Sequence, residues 1–255
     1  MKIATWNVNS LKVRLDQVKA WLASSDVDVL CLQEIKCTDD NFPSADFEKL
    51  GYHIAFSGQK TYNGVAIISK YKIENVTVNL TGLTDPQRRV MFATINGIRI
   101  LNVYIVNGSE VGSEKFRYKM NWLKHLQKDL ELNLLEHDNV VLLGDFNIAP
   151  ADEDVYSPRA WQDKILCSKP ERQAFADFIA AGMVDTFRLF DQDDESYSWW
   201  DYRQARFRRN MGLRIDFILS SKSLSKLCTS CIIDSAPRAL ERPSDHAPVM
   251  ATFDI

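Results

Sequence analysis

The stretch VVLLGDFNIAP, residues 140–150, begins as a buried strand and ends against type. Val140, Val141, Leu142 and Leu143 are apolar in succession. Gly144, an acid (Asp145), an aromatic (Phe146) and an amide (Asn147) follow, and Pro150 closes the run. Successive side chains on an extended strand point to opposite faces. Asp145 and Asn147 are therefore expected on one side, with Phe146 turned back into the core. A strand that carries a carboxylate and an amide out of the core calls for a use for them.

The same oddity recurs along the chain. ATWNVNS delivers Asn7, LCLQEIK delivers Glu34, and LNVYIVNG delivers Asn102 and Tyr104. LRIDF delivers Asp216, and RPSDHAP delivers Asp245 and His246. If these ends converge, they form one pocket dense in carboxylates and amides, with a single histidine. Carboxylates so close cannot all stay ionised without a cation. Oxygen ligands favour Mg²⁺ or Mn²⁺ over zinc, and Mg²⁺ is usually held by one or two carboxylates beside a substrate phosphate. An Asp–His pair fixes an imidazole tautomer. The set points to metal-assisted attack by water on a phosphate ester. The chain has no G-x-S-x-G nucleophile elbow, and GQKTYNG lacks the order of a phosphate-cradling loop.

Around these ends the pattern alternates between strand and helix. KIATWNV, VDVLCLQEIK, GVAIISK, IENVTVNL, RRVMFATING, IRILNVYIVNG, LRIDFILSS and HAPVMATFDI read as strands. VRLDQVKAWLASS places Leu15, Val18, Trp21 and Leu22 at helical spacing, and residues 114–135 carry a helical period. PERQAFADFIAAG has Pro170 in its first turn and Gly182 at its stop. Two blocks of strands, each with helices laid on it, predict a layered α/β sandwich around one shared core. No linker or repeat divides the 255 residues, so a single domain over 1–255 is expected.

Bulk properties narrow the class. The balance of 45 % hydrophobic and 25 % charged residues is that of an ordinary globular chain, and no apolar run reaches membrane-span length. No signal-peptide pattern opens the sequence, which predicts a cytoplasmic protein. The five cysteines are scattered, so no disulfide framework is expected; the lone C-x-x-C at Cys228 and Cys231 reads as thiols in a strand rather than zinc ligands. A net charge of −3 argues mildly against nucleic acid. Against that stands DYRQARFRRNMGLRID, which packs Arg203, Arg206, Arg208, Arg209 and Arg214 among aromatics. Arginine forks match phosphate oxygens, while a solvated loop is the plainer reading.

WNVNSL, LQEIK, TYNGVAI, NVYIVNG, LLGDFNIAP, SWWDYR, GLRIDFIL and RPSDHAPV, in this order and across the whole chain, resemble the exodeoxyribonuclease III family of DNA-repair nucleases, within the endonuclease/exonuclease/phosphatase superfamily. The resemblance implies a four-layered αββα sandwich and a Mg²⁺ enzyme, with Mn²⁺ able to substitute, acting on double-stranded DNA with damaged or 3′ ends; a monomer is the default expectation. It implies Glu34 as the main metal ligand, with Asn7 beside it and Asp245 near. Asp145 would position or deprotonate the attacking water, and Gly144 would let the backbone approach the phosphate. Asn147 would hold the phosphate or Asp145, Tyr104 and His246 would contact the phosphate or the leaving group, Asp216 would orient His246, and Asn102 would support the site as one of the DNA-binding residues. Trp199 would pack on the deoxyribose, with Trp200 reading as a core aromatic. Lys115, Lys119, Arg203, Arg206, Arg208 and Arg209 would meet DNA phosphates. The catalytic strand opens the sequence, which points to a bacterial-type, nucleoid-associated enzyme.

Within such a family the choice of DNA end falls to the loop DKILCSKPERQAF, where abasic-site enzymes carry a small residue and this chain has Leu166. The bulkier side chain predicts 3′–5′ exonuclease and 3′-phosphatase or phosphodiesterase activity, with weak action at abasic sites. The alternatives are full incision 5′ to abasic sites and, more distantly, a phosphatase of small phosphoesters. A DNA-binding module without catalysis conflicts with the presence of Glu34, Asp145, Asn147, Asp216 and His246 together.

Overall fold

Strict alternation of buried and exposed residues does not describe the central strands. Val29–Gln33, Val65–Ser69, Val140–Asp145 and Asp216–Ser221 are buried at every position. Strands buried on both faces need a covering layer on each side. The computed structural model, which describes residues 1–255, supplies those layers.

The first sheet starts with β1 (Lys2–Asn7), β2 (Val29–Gln33), β3 (His53–Ser57) and β4 (Val65–Ser69). The second is built from β5 (Glu74–Thr77), β6 (Val90–Ile95), β7 (Ile98–Tyr104), β8 (Val140–Asp145), β9 (Met183–Asp185) and β10 (Asp216–Ser221). The chain then returns to the first sheet with β11 (Cys228–Ile233) and β12 (Val249–Phe253). The strand orders are β11-β12-β1-β2-β4-β3 and β5-β6-β7-β8-β10-β9. The pairs β1–β2 and β7–β8 are parallel, and every other pair is antiparallel. The helices are α1 (Leu11–Ser25), α2 (Ser44–Glu48), α3 (Glu114–Glu136), α4 (Pro158–Trp161), α5 (Lys169–Ala180) and α6 (Lys222–Ser225). The expected four-layer αββα sandwich is present. The short β3 and β9 were not foreseen, and β5 is a fully exposed edge of four residues, where a longer strand was expected.

Three apolar clusters separate the layers. Between the sheets, Ile3, Val29 and Cys31 meet Ile100, Val141, Leu143 and Ile218. Under α1 and α2, Trp6, Leu11, Leu22, Leu30, Leu32 and Phe47 pack together. Under α3 and α5, Leu142, Phe146 and Phe217 meet Trp122, Leu126 and Phe178. The period of two holds along β8: Val141 and Leu143 face the other sheet, while Leu142 and, past the strand, Phe146 face the helices. Phe146 therefore turns into the core as expected.

Gly144 has a different duty from the expected one. Its φ is 139°, and a Cβ there would sit 1.9 Å from Val103 O of β7. The glycine lets β8 lie against β7; close approach to a phosphate is not what requires it. The cysteines are free, Cys231 is buried against Thr186 Oγ1 at 3.3 Å, and neither thiol of the C-x-x-C pair belongs to a cluster that could hold a metal. The Gly144→Ala variant is expected to lose about 3 kcal/mol or more of stability, because strained backbone and overpacking each cost about 1–3 kcal/mol. Urea denaturation checks this, and a midpoint equal to that of the parent protein would refute the steric account.

Candidate active site

Register explains why the polar residues meet. In β1 the residues facing the other sheet run Ile3, Thr5, Asn7; in β2 they run Val29, Cys31, Gln33. In β7 they are Ile98, Ile100, Asn102, Tyr104, and in β8 Val141, Leu143, Asp145. The parallel pairs align Asn7 with Gln33 and Tyr104 with Asp145. Antiparallel β10 begins opposite, with Asp216 against Asp145. Thr5 pairs with Val249, which brings the segment before β12, and so His246, to the same rim. The inter-sheet face is apolar in the middle and polar at this one edge.

A buried layer supports the edge from below. Gln33 Nε2 donates to Thr5 Oγ1 at 2.9 Å and to Asn102 Oδ1 at 2.8 Å. Asn102 Nδ2 donates to Leu32 O and Ala66 O of the opposite sheet. Asn102 is fully buried. It bridges the two sheets and cannot touch DNA, a correction to its assignment among the DNA contacts.

Above that layer, His246 Nδ1 lies 2.9 Å from Asp216 Oδ2, and Ser198 Oγ donates to the same oxygen at 2.6 Å. Asp216 is thus fixed from two sides, and the imidazole turns Nε2 toward Asp145 Oδ2, 3.8 Å away. Burial alone would discharge His246, but Asp216 and Asp145 outweigh it and raise its pKa. Burial also raises the pKa of Asp145; His246 and the Asn7 amide oppose the shift without cancelling it. Asn7 Nδ2 donates to Glu34 Oε1 and Asp145 Oδ2, both at 2.9 Å. Its own Oδ1 takes Asn9 N–H. Burial pushes Glu34 up, yet Lys36 and Asn7 overcome it and leave the carboxyl below its usual range. Lys36 Nζ sits 2.9 Å from Glu34 Oε2.

Asp145 and Asn147 do meet, though not through strand alternation. The strand ends at Asp145, and Asn147 is left-handed, with φ of 49°. Asn147 N–H donates to Asp145 Oδ1 at 2.9 Å, and its Nδ2 reaches Asp145 Oδ2 at 3.2 Å and Ile105 O at 3.0 Å. An amide side chain tolerates this conformation and makes such local turns. Asn107 Nδ2 donates to Asn147 Oδ1 at 3.0 Å. Tyr104 lines the same pocket with Arg89 over its ring, 4.5 Å from the centroid. Burial and Glu34 hold the phenol proton on well above its usual range, against the pull of Arg89.

Glu34, Asp145 and His246 each offer a ligand atom within 4.8 Å of the others. Glu34 and Asp145 supply the hard oxygen donors of such a cluster, while His246 is already engaged through Nδ1 by Asp216. Asp245 lines the pocket outside that trio, with Oδ1 taken by Asn9 Nδ2 and Oδ2 by Trp199 Nε1, each at 2.9 Å. The cavity measures about 510 Å³, and Trp199, Trp161, Leu166, Arg203 and Arg206 form its walls. Trp200 is buried against Phe207, a core aromatic as read.

The basic residues divide by environment. Arg203 holds Asp201 through Nε and Nη2, which pulls that acid to about 2. Arg208 and Arg209 are exposed beyond the pocket wall, and Lys115 is exposed in a cleft that adjoins the site at Glu34 and Tyr104. Arg214 is buried between Asp154 and Asp185, 2.7 Å from each. Lys119 is fully buried against Glu171. Neither Arg214 nor Lys119 can meet a phosphate, because each is desolvated and already paired. Lys36, Asn9, Asn107 and Ser198 went unremarked in the sequence. All four nevertheless stand inside quoted motifs: Lys36 in LQEIK, Asn9 in WNVNSL, Asn107 in NVYIVNG and Ser198 in SWWDYR.

Residues 4–246 match the model of the endonuclease/exonuclease/phosphatase family. Exodeoxyribonuclease III of Haemophilus influenzae is 35 % identical over 266 residues, covering 99 % of this chain and 100 % of that protein. The 3′ phosphatase NExo from Neisseria, solved bound to a product DNA hairpin, is similar at TM-score 0.98 and 49 % identity over 100 % of both chains. An AP endonuclease from Archaeoglobus fulgidus gives 0.96 at 38 % identity, again over 100 % of both. On this shared fold and length, with its polar strand ends gathered as described, the chain belongs to the endonuclease/exonuclease/phosphatase family and, within it, to the DNA-repair nucleases of exodeoxyribonuclease III type.

Proposed function

We propose that this nuclease trims 3′ ends of duplex DNA: a Mg²⁺-dependent 3′–5′ exonuclease that also removes 3′-phosphate and 3′-phosphodiester blocks and incises abasic sites weakly. The observation that carries the choice is Leu166. It lines the pocket yet is only 5 % exposed, backed by Ala149, Val155, Leu213 and Ile215, so little room exists for it to withdraw. An intact, flipped-out abasic sugar needs the volume that Leu166 fills. NExo from Neisseria, described as a 3′ phosphatase in one structure and as a 3′–5′ exonuclease in another, supports the reading. The archaeal AP endonuclease favours the second reading, full abasic-site incision.

In the chemistry, Glu34 would hold Mg²⁺ or Mn²⁺, with Asn7 orienting the carboxylate and Asp245 at the margin. Bound there, the cation would draw charge from the phosphate and screen the carboxylates. Asp145 takes a proton from the attacking water; its raised pKa suits a base that works near neutrality. His246, held by Asp216, offers Nε2–H to the developing charge on the phosphate. The bond from phosphorus to the 3′ oxygen breaks, and Tyr104, which lines the pocket and keeps its proton, would donate to the leaving oxygen. Asn147 holds the Asp145 carboxylate through its backbone N–H and Nδ2. Lys115, Arg206, Arg208 and Arg209 track the backbone, with Trp199 on the deoxyribose and Arg203 joining where it is not engaged by Asp201. On its likeness to bacterial exodeoxyribonucleases, the enzyme acts as a cytoplasmic monomer on nucleoid DNA.

Three outcomes test this. Asp145→Asn is expected to lower kcat by about a thousandfold, the scale of a lost general base, while a DNA hairpin still binds; normal turnover would refute the role. EDTA is expected to abolish cleavage and Mg²⁺ or Mn²⁺ to restore it, and full activity in the chelator would exclude a metal enzyme. On a panel of abasic, blunt and 3′-phosphate duplexes, Leu166→Gly is expected to raise abasic incision relative to 3′-phosphate release by about tenfold, as removal of a few methylenes from a pocket allows. An unchanged ratio would favour the second reading.

A further inference from the structure

Two loops form the wall and floor of the pocket, and one buried ion pair holds both. Lys119 on α3 and Glu171 on α5 have no exposed side-chain surface. The Lys119 ammonium donates to Glu171 Oε1, to Asn147 O at 2.7 Å and to Asn107 O at 3.2 Å. These partners use all three of its N–H groups. Glu171 is filled in turn: Oε1 also accepts Leu166 N–H at 3.1 Å, and Oε2 accepts Ser168 N–H at 3.1 Å and Ser168 Oγ–H at 2.6 Å. Ala149 N–H donates to Leu166 O at 2.7 Å and closes the circuit.

A capping box explains a glutamate three residues after Ser168. It does not explain burial of that glutamate against a lysine, since the box needs only the bonds to Ser168 N–H and its hydroxyl. Docking of α3 on α5 does not explain the pair either, because Trp122, Leu123, Leu126, Phe175 and Phe178 already pack in one cluster there. The remaining hydrogen bonds of the pair go instead to loop positions, three of which (Asn107, Asn147 and Leu166) line the pocket. Leu166 itself is held at φ of 71°, a conformation that leucine rarely adopts and that its surroundings must impose.

We infer that the Lys119–Glu171 pair is a positioning device, which fixes the distance between the Asn147 loop that holds Asp145 and the Leu166 wall and so sets which DNA end the pocket accepts. The inference rests on the reading of Leu166 given above. Neither residue touches substrate; both act through Leu166 and Asn147. A merely structural pair would affect every substrate alike.

Glu171→Gln, close to isosteric, and Lys119→Met are each assayed on abasic and 3′-phosphate duplexes, alone and in a Leu166→Gly background. Amide exchange of the native proteins is followed at Leu166 and Ala149. Loosening the pair is expected to raise the abasic-to-phosphate ratio about tenfold, the effect of a displacement of less than an ångström. The ratio should not move in the Leu166→Gly background, and the exchange of the two amides should accelerate together. An equal fall on both substrates, the same ratio change without Leu166, or unaltered exchange overturns the inference. Leu166→Gly alone separates the two readings. If it leaves the ratio flat, the wall is wrong and the device has nothing to act on; if it raises the ratio while Glu171→Gln does not, only the device fails. Should Lys119→Met not fold, Glu171→Gln carries every comparison.

Discussion

The site depends on a constraint of register. Two parallel strand pairs, β1–β2 and β7–β8, end level with each other on opposite sheets, so the faces they turn to one another run out at the same edge. Where those faces are covered they must be apolar, and the cluster of Ile3, Cys31, Ile100, Val141 and Leu143 meets that demand. At the uncovered edge the demand lapses. Asn7, Gln33, Tyr104 and Asp145 occupy the next positions of the same period of two. The polar centre is therefore a continuation of the core, held with the core's rigidity, which is what reacting groups need.

Concentrating acids there costs desolvation, and the structure offsets it with named partners. Glu34 has Lys36 and Asn7; Asp216 has Ser198 and His246; Asp245 has Asn9 and Trp199. Asp145 is the exception. Its donors are amides, its charged neighbour His246 stands 3.8 Å off, and its pKa is raised where those of Glu34 and Asp245 fall below the usual range. Carboxylates with divided environments take divided roles: held anions on either side, and between them a group able to accept a proton. The same contrast separates the cations. Arg203 lines the pocket and Lys36 pairs with Glu34 at its edge, whereas Lys119 and Arg214 are withdrawn into the body and spend their donors on protein.

Much of this was legible in the chain. The apolar runs named most of the strands, and the polar residues at the ends of the strands picked out Glu34, Asp145, Asp216 and His246 before any geometry was known. Misreadings arose where local pattern and burial part company. Lys119 and Arg214 look like surface charges, since sequence spacing does not reveal a buried Glu171, Asp154 or Asp185 opposite. Asn102 sits two places before Tyr104 with the same parity, and only the depth of the opposite sheet makes it a bridge between layers instead of a contact for DNA. Gly144 is required by a neighbouring strand that lies about forty residues earlier in the chain. Asn147 reaches Asp145 through a left-handed turn, where an extended chain would have given the same partner for a different reason.

By itself, then, the sequence determined the layers and the inventory of the site, because burial and period of two are local properties that a strand carries wherever it goes. Tertiary structure decided which of those groups face one another, which charges are spent internally, and how far Leu166 stands from Asn147. Those are distances between elements far apart in the chain, set by the pairing of sheets and by contacts such as Lys119 with Glu171, and no spacing along a single strand encodes them.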